Sequence, residues 1–241
     1  MKIMKLIKAK KEKLWNEKIP TIVFFGDSIT QGCFEFYMKN EKSLQTVFDR
    51  ENSYPRILEK ILSDIFPTVP VNCVNAGISG SNAVDSVGRI ERDVISFSPD
   101  LTIICFGLND AFEGEGGISK YCDALSAMFN KIKASGSEVI FMTQNMMNTD
   151  VSCHIKDEYL INLAEKTKAL QNGGVVDKYF DAAKKVAKES GVVVCDVYTK
   201  WKAMAENGVD TTSLLANYIN HPTREMNKLF ASSLMETMME K

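Results

Sequence analysis

Residues 26–32 read GDSITQG, and Ser28 stands there just behind the apolar run TIVFFG. A serine in such a turn either caps the helix that follows or attacks an electrophile once a neighbouring base takes its proton. Residues 75–81, NAGISGS, follow a second apolar run, and their glycines let a backbone N–H face a ligand closely. Residues 107–110, GLND, follow a third. Asn109 offers a side-chain amide as a fixed donor there, although Asn-Asp is also a common turn pair. The chain has two histidines. His221, in YINHPT (218–223), lies in a loop before the last helical segment and is open to service as a base or to simple solvation. His154, in NTDVSCHIKD, has no motif around it.

Taken in order, these blocks resemble the SGNH, or GDSL, hydrolase superfamily, in which four separated segments assemble one esterase site. The matching stretches are GDSITQG at 26–32, NAGISG at 75–80, GLND at 107–110 and NHP at 220–222, and the likeness spans about residues 21 to 235. The resemblance implies a three-layer α/β/α sandwich of the flavodoxin-like kind. It implies Ser28 as nucleophile and His221 as general base, with the backbone N–H of Ser28 and of Gly80 and the amide of Asn109 as donors to the oxyanion. It also implies an aspartate three residues before the histidine, and that position holds Tyr218. A phenol, with a reference pKa near ~10, is neutral at working pH and cannot supply the same charge.

Three explanations meet this departure: a backbone carbonyl of the loop 216–219 orients the imidazole; an acid from elsewhere does so, with Asp210 the nearest upstream; or catalysis is lost and a binding function remains. The carbonyl is preferred. It would favour the tautomer protonated at Nδ1, whereas replacing the aspartate of a serine protease by an amide imposed the wrong tautomer and cost about 10⁴ in turnover.

The resemblance therefore implies a serine ester hydrolase without metal or cofactor, acting on a small-molecule ester. GDSIT with QG leans towards the carbohydrate-esterase branch and a short, acetyl-like acyl group. A thioesterase, a lysophospholipase and a binder of an acylated ligand without efficient turnover are the alternatives. The segment QNMMN (144–148) could line an acyl pocket, although methionine is more often flexible core filling.

The elements that must position these residues are legible in the hydrophobic pattern. The runs 21–26, 69–77, 101–107, 138–144 and 192–198 are short and rich in β-branched and aromatic residues, as buried parallel strands are. Between them Ile57–Ile65, Tyr121–Ile132 and Val176–Val186 keep a helical period, and Met226, Leu229, Phe230 and Leu234 repeat it at the end. Alternation of this kind predicts an α/β fold with a mostly parallel five-stranded sheet and helices on both faces. Its sites lie beyond the carboxyl ends of the strands, where the first three blocks fall and which the loop of the fourth can also reach.

With 241 residues, 45% of them hydrophobic, one domain at 21–241 is the economical division, preceded by a lysine-rich helical extension at 1–20. That extension carries seven lysines against two glutamates in residues 1–18, with Ile3, Ile7 and Leu14 at roughly helical spacing. It reads as a surface helix laid over the body, with a membrane-surface or partner-binding role as the lesser reading. A net charge of −2 gives no footprint for nucleic acid. No run is long and apolar enough to span a membrane, and the lysines interrupt any signal-peptide core, which predicts a soluble, cytoplasmic protein. A homo-oligomer stays open. The six cysteines form no C-x-x-C pair and read as reduced thiols packed as small hydrophobes.

Overall fold

In the computed structural model, which describes residues 1–40 and 43–240, the elements run as follows: α1 (Lys2–Glu12), β1 (Thr21–Gly26), α2 (Ser28–Gln31), β2 (Cys33–Asn40), β3 (Ser43–Phe48), α3 (Tyr54–Ile65), β4 (Asn72–Asn75), α4 (Ala83–Ser86), α5 (Ile90–Asp93), β5 (Leu101–Cys105), α6 (Ile118–Ala134), β6 (Glu138–Met142), α7 (Glu158–Asn172), α8 (Val175–Glu189), β7 (Val193–Cys195), α9 (Val197–Glu206) and α10 (Arg224–Met239). Five strands form one sheet in the order β4-β1-β5-β6-β7, and every neighbouring pair is parallel. Each of the five apolar runs supplies one strand. Strand β1 fills its run, and the other four strands are shorter than theirs, whose ends pass into the flanking segments.

The central strands are buried on both faces, which is why they read as continuous apolar runs: all six residues of β1 and all five of β5 are buried. Phe24 points an edge at Tyr54 of α3, with ring centroids 5.9 Å apart, and Phe25 meets Phe106 at 5.3 Å. Such rings contribute about 1.5–3 kcal/mol each on burial. Helix α3 presents Tyr54, Leu58 and Leu62 to the sheet at a spacing of four, and Pro55 in its first turn leaves no backbone donor stranded. Helix α10 answers with Phe230, Leu234 and Met238, and its Asn227 Oδ1 accepts from Tyr54 N at 3.0 Å. One helical layer is thus α3 and α10, with α1 laid over α10; the other is α4, α6, α7 and α8.

Ile3 and Ile7 of α1 are buried in the core, and Glu138 accepts from the N–H groups of Lys2 (2.8 Å) and Ile3 (2.7 Å). Leu14 lies beyond the end of α1 and is partly exposed, so it does not extend the Ile3–Ile7 stripe. Among the described residues no helix is long and apolar enough to cross a membrane.

The antiparallel hairpin β2–β3 and the helices α7 and α9 have no counterpart in the sequence reading. The hairpin stands outside the main sheet, and most of its residues are only half-buried. Its buried members, Cys33 and Phe34, lie at its base.

Candidate active site

The strand order places β1 between the edge strand β4 and the central strand β5, so the chain leaves β1 in one direction to build β4 and then crosses to the other side to build the rest. A crevice opens beyond the carboxyl ends of the strands at such a switch point. Three of the four blocks leave the sheet there: Asp27-Ser28 after β1, residues 76–81 after β4, and Gly107–Asp110 after β5.

The Ser28 turn is fixed from several sides. Asp27 caps α2, its Oδ1 accepting from Ile29 N at 3.0 Å, while Oδ2 accepts from Gln144 Nε2 at 2.8 Å. Burial pushes the Asp27 carboxyl up to about 6 against those two hydrogen bonds. Gln144 also accepts from Leu108 N at 2.8 Å, so one side chain at the exit of β6 holds both the serine turn and the GLND turn. Arg89 does the same on the other side. Its guanidinium donates to the carbonyls of Gly26 (2.9 Å) and Ala76 (2.7 Å) and lies over the Phe25 ring, 4.3 Å from the centroid. Neither Gln144 nor Arg89 stands out in the sequence. Both lie outside the four blocks, and only the packing shows that each bridges them, Gln144 opening the segment QNMMN as a tie between turns and not as pocket lining.

Gly26 and Gly77 are held by close approach: a Cβ at Gly26 would lie 2.0 Å from Thr30 Oγ1, and one at Gly77 would lie 2.4 Å from Gln31 N. Gly80 differs. It adopts φ +79° with open space where a Cβ would stand, in an exposed turn beside the crevice. Asn109 Nδ2 donates to the Ser81 carbonyl at 2.8 Å, which ties the GLND turn to the Gly80 turn. An amide carries two N–H donors, so one remains for a ligand.

Ser28 Oγ lies 2.8 Å from His221 Nε2, and both residues are buried, at 6% and 1% exposure. The sequence separation of 193 is closed by the loop before α10. Asn217 is the organising residue of that loop: its Oδ1 accepts from the N–H groups of Ile219 (3.0 Å), Asn220 (2.9 Å) and His221 (3.0 Å). The exit of β6 grips the same loop, with Asn148 N donating to Ile219 O at 2.8 Å and Asn145 Nδ2 to Asn220 O at 2.9 Å. Tyr218 takes the left-handed conformation, φ +56°, and stacks on His154 with centroids 5.2 Å apart.

What faces the other imidazole nitrogen is the carbonyl of Phe34, 3.1 Å from Nδ1. The acceptor is thus a backbone carbonyl, but it comes from β2 and not from the loop 216–219. Asp210 is also a correction. Its Oδ1 accepts from Thr212 N (3.0 Å) and Ser213 N (3.4 Å), so the carboxylate caps its own turn. A carbonyl accepts only from N–H, so this contact holds the proton on Nδ1 and leaves Nε2 as a base towards Ser28. Burial pushes the His221 imidazole down to about 4, against the Phe34 bond and the more distant charge of Glu35. Phe36 closes the ring's flank, edge-on with centroids 4.8 Å apart.

Of the other candidates, Met146 and Met147 are buried in the core, and Cys33 is a buried thiol raised to about 12, chiefly by desolvation. Among the described residues no group of three or more His, Cys, Asp or Glu side chains is arranged to hold a metal ion. The arrangement sets a hydroxyl against a neutral imidazole of fixed tautomer, the pairing that nucleophilic acyl transfer requires.

Comparison with known proteins points the same way. An acetylxylan esterase of Geobacillus stearothermophilus is 33% identical over 91 residues, a stretch that makes up 38% of this chain and only 40% of the relative. The solved structure of the acetylxylan esterase Axe2 from the same organism superposes with a TM-score of 0.67 at 20% identity, over 92% of this chain and 95% of that one. Forms of Axe2 with a serine or a histidine changed to alanine are described as catalytic mutants. LAE5, an α/β hydrolase from the metagenome of Lake Arreo, Spain, gives a TM-score of 0.67 at 19% identity over 90% of this chain and 94% of its own. At such identities the solved structures speak for the fold alone. The sequence model that matches residues 24–229 spans most of the chain and all four blocks, and the chain therefore belongs to the GDSL-like lipase/acylhydrolase family.

Proposed function

We propose that the protein is a serine esterase that removes a short acyl group, acetyl foremost, from a small carbohydrate ester. The observation that carries the reading is the 2.8 Å contact between Ser28 Oγ and His221 Nε2, with Nδ1 committed to the Phe34 carbonyl. In the first step Nε2 takes the Ser28 proton as Oγ bonds to the acyl carbon, and the carbonyl π pair moves onto oxygen. The N–H groups of Ser28 and Gly80 and the Asn109 amide receive that charge. Collapse breaks the bond to the sugar oxygen, which leaves with the proton from Nε2. Water then repeats the sequence on the acyl-serine, with His221 again taking and returning one proton. The acetyl group and the carbohydrate rest on the acetylxylan esterase relative and on the likeness to Axe2.

The test is hydrolysis of p-nitrophenyl acetate, then of acetylated xylo-oligosaccharides, by the wild type, Ser28→Ala and His221→Ala. The expected result is turnover by the wild type and a fall of at least about 10⁴ in both variants, since members of such a pair act as a unit. Equal slow rates for all three proteins would reject the reading.

A further inference from the structure

The Phe34 carbonyl orients His221 only if β2 is held still against the loop that carries the histidine, and one side chain joins the two. Arg224 opens α10, three positions past His221. Its guanidinium grips Glu35 of β2 with both terminal nitrogens, at 2.5 Å from Nη1 and 3.2 Å from Nη2, and donates from Nε to Asp49 Oδ2 at 2.8 Å. The same planar group lies over the Phe34 ring, 4.4 Å from its centroid. Asp49 follows β3 directly, and its N–H donates to the carbonyl of Gly32, four residues past Ser28, at 2.8 Å.

Arg224 therefore fastens the entry and the exit of the hairpin to the start of α10. The carbonyl that receives Nδ1 belongs to the planar peptide unit joining Phe34 to Glu35, and the guanidinium holds the side chains at both ends of that unit. A fork-shaped bidentate contact of this kind fixes orientation as well as distance, which a single ammonium does not. The hydrogen bonds also settle the charges. Asp49 lies below the usual carboxylate range, through Asn52 first and Arg224 second, and Arg224 is raised, chiefly by Glu35.

We propose that Arg224 is a positioning residue for the reaction: by gripping Glu35, Asp49 and the Phe34 ring it sets the Phe34 carbonyl against Nδ1 of His221. This clamp does the orienting that an aspartate at position 218 would otherwise do. The proposal rests on the Ser28–His221 reading, and its test contains a measurement that needs no turnover.

That measurement is ring nitrogen NMR of His221, made in a His154→Gln background so that one histidine remains, for the parent, Arg224→Ala, Arg224→Lys and Glu35→Gln. The parent should show the single tautomer protonated at Nδ1, and Arg224→Ala should populate both. On p-nitrophenyl acetate, kcat should fall about 10- to 100-fold in Arg224→Ala, the scale of a small misplacement of a reacting group, with KM changed less than about threefold. Arg224→Lys should recover part of the loss. Glu35→Gln, which keeps size and removes the charge, should fall between and decides the matter if Arg224→Ala does not fold. Folded Arg224→Ala or Glu35→Gln protein with the parent tautomer and the parent kcat would overturn the proposal. If the parent itself fails to turn over esters, the functional reading falls while the tautomer comparison still tests the clamp.

Discussion

The two halves of the site are built differently. Ser28 stands at the end of a strand buried on both faces, and its turn is locked from outside that strand: by Gln144 after β6, by Arg89 in the helical segment before α5 and by the close-packed glycines Gly26 and Gly77. His221 stands in a loop with no strand of its own. Its place depends on Asn217, on the grip of Asn145 and Asn148 at the exit of β6, on Tyr218 in the left-handed conformation, and on a hairpin outside the main sheet. The serine half is a by-product of the main core, whereas the histidine half is an added structure with a small apolar cluster of its own, in which Ile219 and Tyr218 pack with Phe36, Met38 and Leu44 of the hairpin and with Ile155 and Leu160. The first should resist perturbation and the second should not.

A pair of amide substitutions sharpens that contrast. Asn109→Ala removes one of the proposed oxyanion donors in the serine half and should lower kcat by about 10²–10³ while leaving the melting temperature close to wild type, because the side chain makes one bond to a turn carbonyl. Asn217→Ala strips the acceptor from three N–H groups at once and should lower both quantities: stability by about 1–3 kcal/mol and kcat by about 10². Thermal melts and steady-state rates on the same preparations check this. If Asn217→Ala keeps its rate, the hairpin and the exit of β6 hold the histidine without it.

What sequence reading could reach follows the same division. The five strands are continuous apolar runs, so the sheet and its crevice are legible from local pattern, while Ser28, Gly80, Asn109 and His221 are singled out only by the resemblance that the four blocks carry together, each block alone being a common turn or loop. The hairpin is not. CFEFYMKN does alternate roughly, but its residues are half-buried, and its role lies in a backbone carbonyl, a group that every residue has and no sequence marks. Tyr218 signals only that something else must orient His221. Neither Phe34, 187 positions away, nor the Arg224 clamp can be read from the residues around the histidine.

The acidity of His221 offers a second way to break the comparison. Buried against a carbonyl, with Glu35 already paired to Arg224, the imidazole is lowered to about 4. The base must be neutral to act, so kcat/KM should hold as pH falls through the ordinary histidine range and decline only near the lowered value. At pH 5 such a group stays mostly neutral, where an ordinary histidine of pKa ~6.5 would be about 3% neutral, a difference of about 30-fold in active base. A pH–rate profile on an ester stable to acid reads this directly. An acid limb near 6.5 would mean that the histidine loop opens to water in the working enzyme.

The smallest expected effect belongs to Asp210, the acid closest upstream of the histidine in the sequence. Its carboxylate caps the turn at Thr212–Leu214 and lines a cleft of about 520 Å³ with His154, Cys153 and Tyr218. In that role its loss should cost stability and spare chemistry. Asp210→Ala should lower stability by about 0.5–2 kcal/mol, the range for a lost capping side chain, or a few degrees of melting temperature in a chain of this size. Its kcat/KM should stay within about twofold of wild type, because the proton it would have to receive already rests against the Phe34 carbonyl. A fall of 10² or more with an unchanged melt would show that the acid swings to His221 during turnover. The carbonyl would then be only its resting partner, and the clamp at Arg224 would be holding a waiting state instead of the working one.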